Sequence, residues 1–218
     1  AQVLAAEYGA QAIAIEDVFT ADIDAVLIAS STPTHADFVE QAAQAGKAIY
    51  CEKPIDLDTR RAGQAVTAVR EAGVPLMIGF NRRFDASHAA LKEVVDRGEL
   101  GKIELVQIPC RSQEIPPMAY IGASGGQMRD QAIHFFDLLC WLTEDLPVEV
   151  YVMGDALADP RIGEAGDVDT SIATLRMASG ALVQIDCTRR TGYGYDERVE
   201  LFGAEGMAES RRQPNRHL

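Results

Sequence analysis

The 218-residue sequence predicts an α/β first half built on a parallel sheet, followed by an α+β second half whose sheet is mostly antiparallel. Two observations carry this. Three apolar runs, Ile23–Ala29, Lys47–Cys51 and Pro75–Phe80, alternate with helix-length segments, and strands joined through helices run parallel by right-handed crossovers. After about residue 100 the alternation stops, and five strand-like runs follow with one long helix between the first two. The predicted domains are therefore 1–100 and 101–218.

The elements follow in order. "AQVLAAEYGA" has the pattern of a helix, with Val3, Leu4, Ala6 and Tyr8 apolar and Gly9 as its stop. "IDAVLIA" is continuous in the way of a strand buried on both faces. Thr34-x-x-Asp37 has the form of a capping box for a helix ending at Gly46, and Asp58 or Thr59 can cap the next, which runs to Gly73. Parallel strands place the three exits, "SSTPTH", "EKP" and "NRRF", along one rim, where open α/β sheets bind ligands. A helix over Asp85–Arg97 carries His88 on its polar side, where solvent is expected. Ile103–Cys110, Val148–Met153, Ser171–Met177, Ala181–Cys187 and Arg198–Phe202 are the later strands, with "RMASGALVQ" as a hairpin. Ala1 opens inside a helical pattern and "RRQPNRHL" closes no element, so both ends are expected to be truncations.

Composition narrows the function. With 20 Lys+Arg against 33 Asp+Glu, the net charge of −13 opposes nucleic acid and anionic membrane as partners. Cys51, Cys110, Cys140 and Cys187 lie far apart, which fits reduced thiols in the cytoplasm rather than a disulfide framework or a zinc ribbon. No apolar run reaches the roughly 18 residues of a membrane span.

The long helix, "GGQMRDQAIHFFDLLCWL", is apolar nearly all round except for Asp130, His134 and Asp137 at i, i+4, i+7. A structural Asp–His pair and a catalytic one fit this spacing equally; the preceding "SGG", which lets a ligand approach backbone, favours the second. Histidine suits proton transfer near neutral pH, and a rim lysine such as Lys53 can stabilise an alkoxide. Oxidation of an alcohol by hydride loss uses both. No metal is required, although Asp137 could complete a ligand set. Tyr193, Tyr195 and Asp196 at the mouth of a strand read either as edge-strand residues or as groups suited to a polyol.

"CEKP", "GFNRRFD", "SGG" with "RDQAIHFFD", "GDVDTS" and "YGYDERVELFG", in this order over nearly the whole chain, resemble the Gfo/Idh/MocA oxidoreductase family, most closely its inositol 2-dehydrogenases. The resemblance implies a Rossmann-type first domain and an α+β second domain for substrate and oligomerisation. It implies Lys53, Asp130 and His134 as catalytic residues, with His134 the acid/base and Pro54 following a cis bond. It places Ser31, Thr32, His35, Glu52, Lys53 and Arg82 along the cofactor, and Lys53, Arg82, Asp130, His134, Tyr193 and Tyr195 on the substrate side. The implied cofactor is NAD, with NADP left open; the implied substrate is a cyclic polyol, myo-inositol first. Another sugar or sugar-acid dehydrogenase of the family is the alternative, and a non-catalytic sugar-binding fragment is the reading from another class. A homo-oligomer, tetramer or dimer, follows from the family. Two departures stand out. No G-x-G-x-x-G occurs, so the 218 residues alone are expected to be inactive, and Gln131 and Phe135 stand where Met and Asp are expected.

Overall fold

The computed structural model describes residues 1–212; residues 213–218, most of the polar tail, lie outside them. The chain divides into two compact units, Ala1–Gly79 and Phe80–Leu218.

In the first unit, α1 (Gln2–Tyr8) and α2 (Ile15–Val18) precede β1 (Ala25–Ile28), α3 (His35–Gln44), β2 (Ala48–Cys51), α4 (Thr59–Ala72) and β3 (Leu76–Ile78). The strands form a three-stranded sheet in the order β1-β2-β3, and both pairings are parallel. Val26, Ile28, Ile49 and Cys51 point to one face and pack with Val39, Ala42 and Ala43 of α3 and Ala65 and Val69 of α4. Asp58 caps α4, accepting from the Arg60 amide at 2.8 Å, a contact worth about 1 kcal/mol. Gly73 ends that helix at φ 67°, a conformation that strains a side-chain-bearing residue.

The capping box at Thr34 does not form. A 3₁₀ turn over Thr32–Thr34 leads directly into α3 and leaves Thr34 at φ −104°, ψ −8°, whereas a cap needs extended backbone. Its hydroxyl donates instead to the Ser31 carbonyl at 2.8 Å, and Asp37 pairs with Arg61.

The second unit contains α5 (Ala86–Asp96), β4 (Ile103–Arg111), α6 (Met118–Ala123), a π-helical turn (Met128–Ala132), α7 (Ile133–Thr143), β5 (Pro147–Asp155), α8 (Pro160–Glu164), β6 (Thr170–Met177), β7 (Leu182–Thr188), β8 (Asp196–Gly203) and β9 (Met207–Arg212). Its six-stranded sheet has the order β5-β6-β7-β4-β8-β9; β4 and β7 are parallel and the other pairs antiparallel. Leu91 of α5 and Phe135, Leu138, Leu139 and Leu142 of α7 cover one face, against Val106, Ile108, Val183, Ile185 and Leu201. The units thus divide at Gly79/Phe80 rather than near residue 100, because α5 buries its apolar side on the second sheet. Among the described residues no helix is long and apolar enough to cross a membrane.

Among the described residues nothing covers the sheet's other face: Tyr151, Met153, Ile172, Leu182 and Phe202 are all exposed, and the register puts them on one side of the sheet, with β5 exposed along its whole length.

Candidate active site

β1 and β2 deliver their exit loops to the same rim of the first unit. The ring of His35, only 2% exposed, joins these loops: Nδ1 lies 2.8 Å from the Pro54 carbonyl oxygen and Nε2 lies 3.0 Å from that of Ser30. The segment carrying Ser31 and Thr32 is thereby tied to the one carrying Lys53, whose bond to Pro54 is cis. Glu52 turns back on its own strand, accepting from the Tyr50 hydroxyl at 3.2 Å. Gly79 makes room for that pair, since a Cβ there would lie 2.7 Å from Tyr50 Oη and 2.9 Å from Glu52 Oε2. His35 and Glu52 therefore shape the rim, while Ser31 is exposed on it and Thr32 and Lys53 are half-buried.

In the second unit Asp130 sits within the π turn and His134 in the first turn of α7. The α-helical stripe expected from the spacing is thus interrupted, because a π turn holds extra residue length per turn and shifts the faces on either side. Such turns recur at functional sites. Asp130 Oδ1 accepts from the Tyr120 hydroxyl at 2.7 Å, and burial, then this bond and the carboxylate charge, push the Tyr120 phenol up to about 12. Behind Asp130 lies Arg189, 2% exposed, with Nη2 3.9 Å from Asp130 Oδ2 and Nη1 3.0 Å from Asp167 Oδ2.

Asp167 also accepts from the Gln127 amide at 2.9 Å, an approach that Gly126 permits: at φ 86° it has no Cβ, which would stand 2.8 Å from Asp167 Oδ1. Gln127 is buried, donating to the Asp169 carbonyl at 2.7 Å and accepting from the Ser171 hydroxyl at 2.6 Å. "SGG" and "GDVDTS" are therefore two halves of one docking that holds the π turn. Gln131 adds to it, donating to Ser112 Oγ and to the Thr188 carbonyl, both at 3.1 Å.

Asp137 does not join Asp130 and His134 in a ligand set. Its carboxylate takes both Nε (2.8 Å) and Nη2 of Arg83. Arg82, the next residue back, donates from Nη2 to the Tyr195 hydroxyl at 2.7 Å, and that nitrogen is 3.2 Å from Glu197 Oε2. Tyr195 donates to the same carboxylate. His88 is not solvated: it is 2% exposed, with Nε2 2.9 Å from Glu197 Oε1 and Nδ1 2.7 Å from Ser210 Oγ.

Tyr193 and Tyr195, both expected at the mouth of a strand, have different partners. Tyr193 donates to Asp196 at 2.8 Å and accepts from Arg111, which pairs with Asp186 on the open face of the sheet. Tyr195 bonds Glu197, which is on the helix-covered face beside Cys110. Gly194, at φ 106°, lies between them in the segment before β8, a conformation that glycine adopts readily. Tyr120, Arg189 and Glu197, which contact the expected site residues Asp130 and Tyr195, have no local spacing that marks them, and His88 was expected in solvent.

Residues 1–80 match the family model described as the oxidoreductase family, NAD-binding Rossmann fold, and residues 88–209 match the GFO/IDH/MocA C-terminal domain. An inositol 2-dehydrogenase from Rhizobium meliloti (strain 1021) is 43% identical over 214 residues, 98% of this chain and 65% of its own length. The solved structure of a myo-inositol dehydrogenase from Corynebacterium glutamicum ATCC 13032 is similar at TM-score 0.91 and 38% identity, covering 97% of this chain and 64% of that one. A scyllo-inositol dehydrogenase from Lactobacillus casei, solved with bound cofactor NAD(H) and scyllo-inositol, is similar at TM-score 0.86 and 29% identity, covering 100% of this chain and 66% of that one. The chain spans less than two thirds of the length of the curated relatives it matches. With both units matched, in order, the chain belongs to the GFO/IDH/MocA oxidoreductase family.

Proposed function

We propose that the protein carrying this chain is an NAD-dependent dehydrogenase that oxidises one ring C–OH of a cyclic polyol, myo-inositol being the first candidate. The observation that carries the reading is the 43% identity over 214 residues to a protein named inositol 2-dehydrogenase, a span that includes both the Lys53 loop and the Asp130–His134 segment. The first unit would serve the cofactor and the second the substrate. The donor set of the rim fits the nicotinamide half: the Ser31 and Thr32 hydroxyls and the Lys53 ammonium suit amide and ribose oxygens. The glycine turn that holds pyrophosphate in such folds is not among these 218 residues.

His134 would take the hydroxyl proton as the C–O bond gains double-bond character. Lys53 would donate to that oxygen, stabilising the charge that develops on it. Asp130, held by Tyr120 and Arg189, would accept from a neighbouring ring hydroxyl and fix the sugar's orientation. NAD, when bound, supplies the hydride acceptor, so the products are a cyclic ketone, NADH and a proton.

A substrate panel tests this in the intact protein. NADH formation per active site is expected to be faster with myo-inositol than with the acyclic polyol sorbitol, because a rigid ring meets several polar partners at once and an analogue that leaves one unpaired is rejected. Indifference to ring structure, or activity on aldoses alone, would move the assignment to a sugar dehydrogenase of the same family. Polyol binding without NADH formation would leave the binding-protein reading.

The partner we infer is a second copy of the chain, seated on the open sheet face. An apolar face of this kind is more than a monomer commonly leaves exposed. The Arg176–Glu149 and Arg111–Asp186 pairs put both signs of charge on the same surface, which suits self-complementary pairing. Ile172→Glu is expected to lower the mass measured by light scattering to that of a smaller assembly; an unchanged mass would exclude this face. The four free thiols, three of them buried, support a reducing, cytoplasmic setting.

A further inference from the structure

The chain of bonds through Arg82, Tyr195, Glu197, His88 and Ser210 has a definite polarity. A carboxylate only accepts, so every donor that meets Glu197 must spend its hydrogen there. Oε1 takes the His88 Nε2–H at 2.9 Å, which leaves Nδ1 for the Ser210 hydroxyl. Oε2 takes the Tyr195 O–H, and Arg82 Nη2 lies 3.2 Å from it. The phenol has one hydrogen, so its oxygen acts as acceptor towards Arg82 Nη2 at 2.7 Å. Tyr195 consequently has no proton to offer a ligand. Arg82 does: its side chain keeps 20% of its surface exposed, while its Nε is buried and has no hydrogen-bond partner among the described residues.

The carboxylate at the centre of this chain is 1% exposed; Tyr195 reaches it from two residues away, and His88 and Arg82 reach it from more than a hundred positions away in the sequence. Burying such a group costs several kcal/mol unless it is fully bonded, and a carboxylate is no better than a leucine as core filling. Its charge state is consistent with the geometry. Burial alone would raise the Glu197 carboxyl, but the bond from His88, the Arg82 charge and the Tyr195 hydroxyl outweigh it and hold it below its ordinary value. Burial, with Cys110 and Glu197 adding, pushes the Tyr195 phenol well up, so the hydroxyl keeps its proton.

We propose that Glu197 is a positioning residue for substrate recognition: acting through Tyr195, and braced by His88 and Ser210, it locks Arg82 so that the guanidinium presents N–H donors to a substrate hydroxyl oxygen. This rests on the reading that Arg82 lies on the substrate side. The site then reads that hydroxyl as a hydrogen-bond acceptor, which complements Asp130, a hydrogen-bond acceptor towards its neighbour.

The test compares Glu197→Gln, Tyr195→Phe, Arg82→Met and the Glu197→Gln/Arg82→Met double variant in the intact enzyme. Polyol is varied at saturating NAD, and polyol affinity for the enzyme–NADH complex is measured by calorimetry. Glu197→Gln and Tyr195→Phe are each expected to raise KM and the calorimetric Kd on the order of tenfold, with kcat changed less than about threefold, the signature of lost binding rather than lost chemistry. The double variant is expected to be no more than about twofold worse than Arg82→Met, because residues acting through one another do not add. Should Glu197→Gln fail to fold, Tyr195→Phe carries the same question, since it removes only the bridging hydroxyl. A raised KM in Arg82→Met with normal KM in Glu197→Gln or Tyr195→Phe would overturn the positioning role and leave the Arg82 reading intact. Normal KM in Arg82→Met would overturn both. Additive effects in the double variant, accompanied by a lowered melting temperature in Glu197→Gln alone, would reduce Glu197 to a structural residue.

Discussion

His134→Ala in the intact enzyme is expected to lower kcat by about 10²- to 10⁴-fold while leaving NAD affinity nearly unchanged, the range that a well-placed general base contributes. The side chain stands in the first turn of α7, held by a helix whose Phe135, Leu138 and Leu139 are buried in the core, so alanine there removes the imidazole without disturbing the frame. Small exogenous imidazoles should restore part of the lost rate. Steady-state kinetics beside NADH titration measure this. Normal turnover in the variant would remove His134 from the chemistry.

Lys53→Met is expected to lower kcat about 10²- to 10³-fold, as the loss of one donor aimed at a developing oxyanion does. Methionine keeps the stem's length and apolar volume, so the loop between β2 and α4 should retain its tie to His35 through the Pro54 carbonyl. Arginine is not a conservative replacement, since its planar fork spreads the charge that a lysine concentrates at one point. Polyol KM should change much less than kcat, because the lost interaction is made chiefly as charge builds. A variant in which KM alone rises would show Lys53 to be a ground-state binding group and would leave oxyanion stabilisation without a residue.

What local pattern encodes was legible. The alternation of apolar runs with helices specified the parallel order of β1, β2 and β3, and the Asp58 cap and Gly73 stop of α4 lie where side-chain chemistry and backbone freedom put them. The rim position of Lys53 followed from parallelism alone. Asp130 and His134 stood out because polar residues on an otherwise apolar helix are conspicuous at any register. By contrast, β9, "MAESRR", ends in four consecutive polar residues with no strand alternation, and it becomes a strand because β8 offers it a partner.

The sequence by itself therefore determined the main strands and helices in their order, the parallel first sheet and mostly antiparallel second sheet, and the residue types available for proton transfer, but not α2, α6, α8 or β9. Tertiary structure alone decided which polar groups are buried together. His88 looked solvated until α5 met β8 and β9, where Glu197 lies 109 positions away in the chain. Arg189 carries no local signal at all, and it lies beneath Asp130 because the end of β7 brings it there. Tyr193 and Tyr195 looked equivalent until the fold gave one to Asp196 and Arg111 and the other to Glu197 and Arg82. In each case the deciding energy is the desolvation of a charged or polar group, a quantity that depends on what surrounds the residue in space and has no period along the chain.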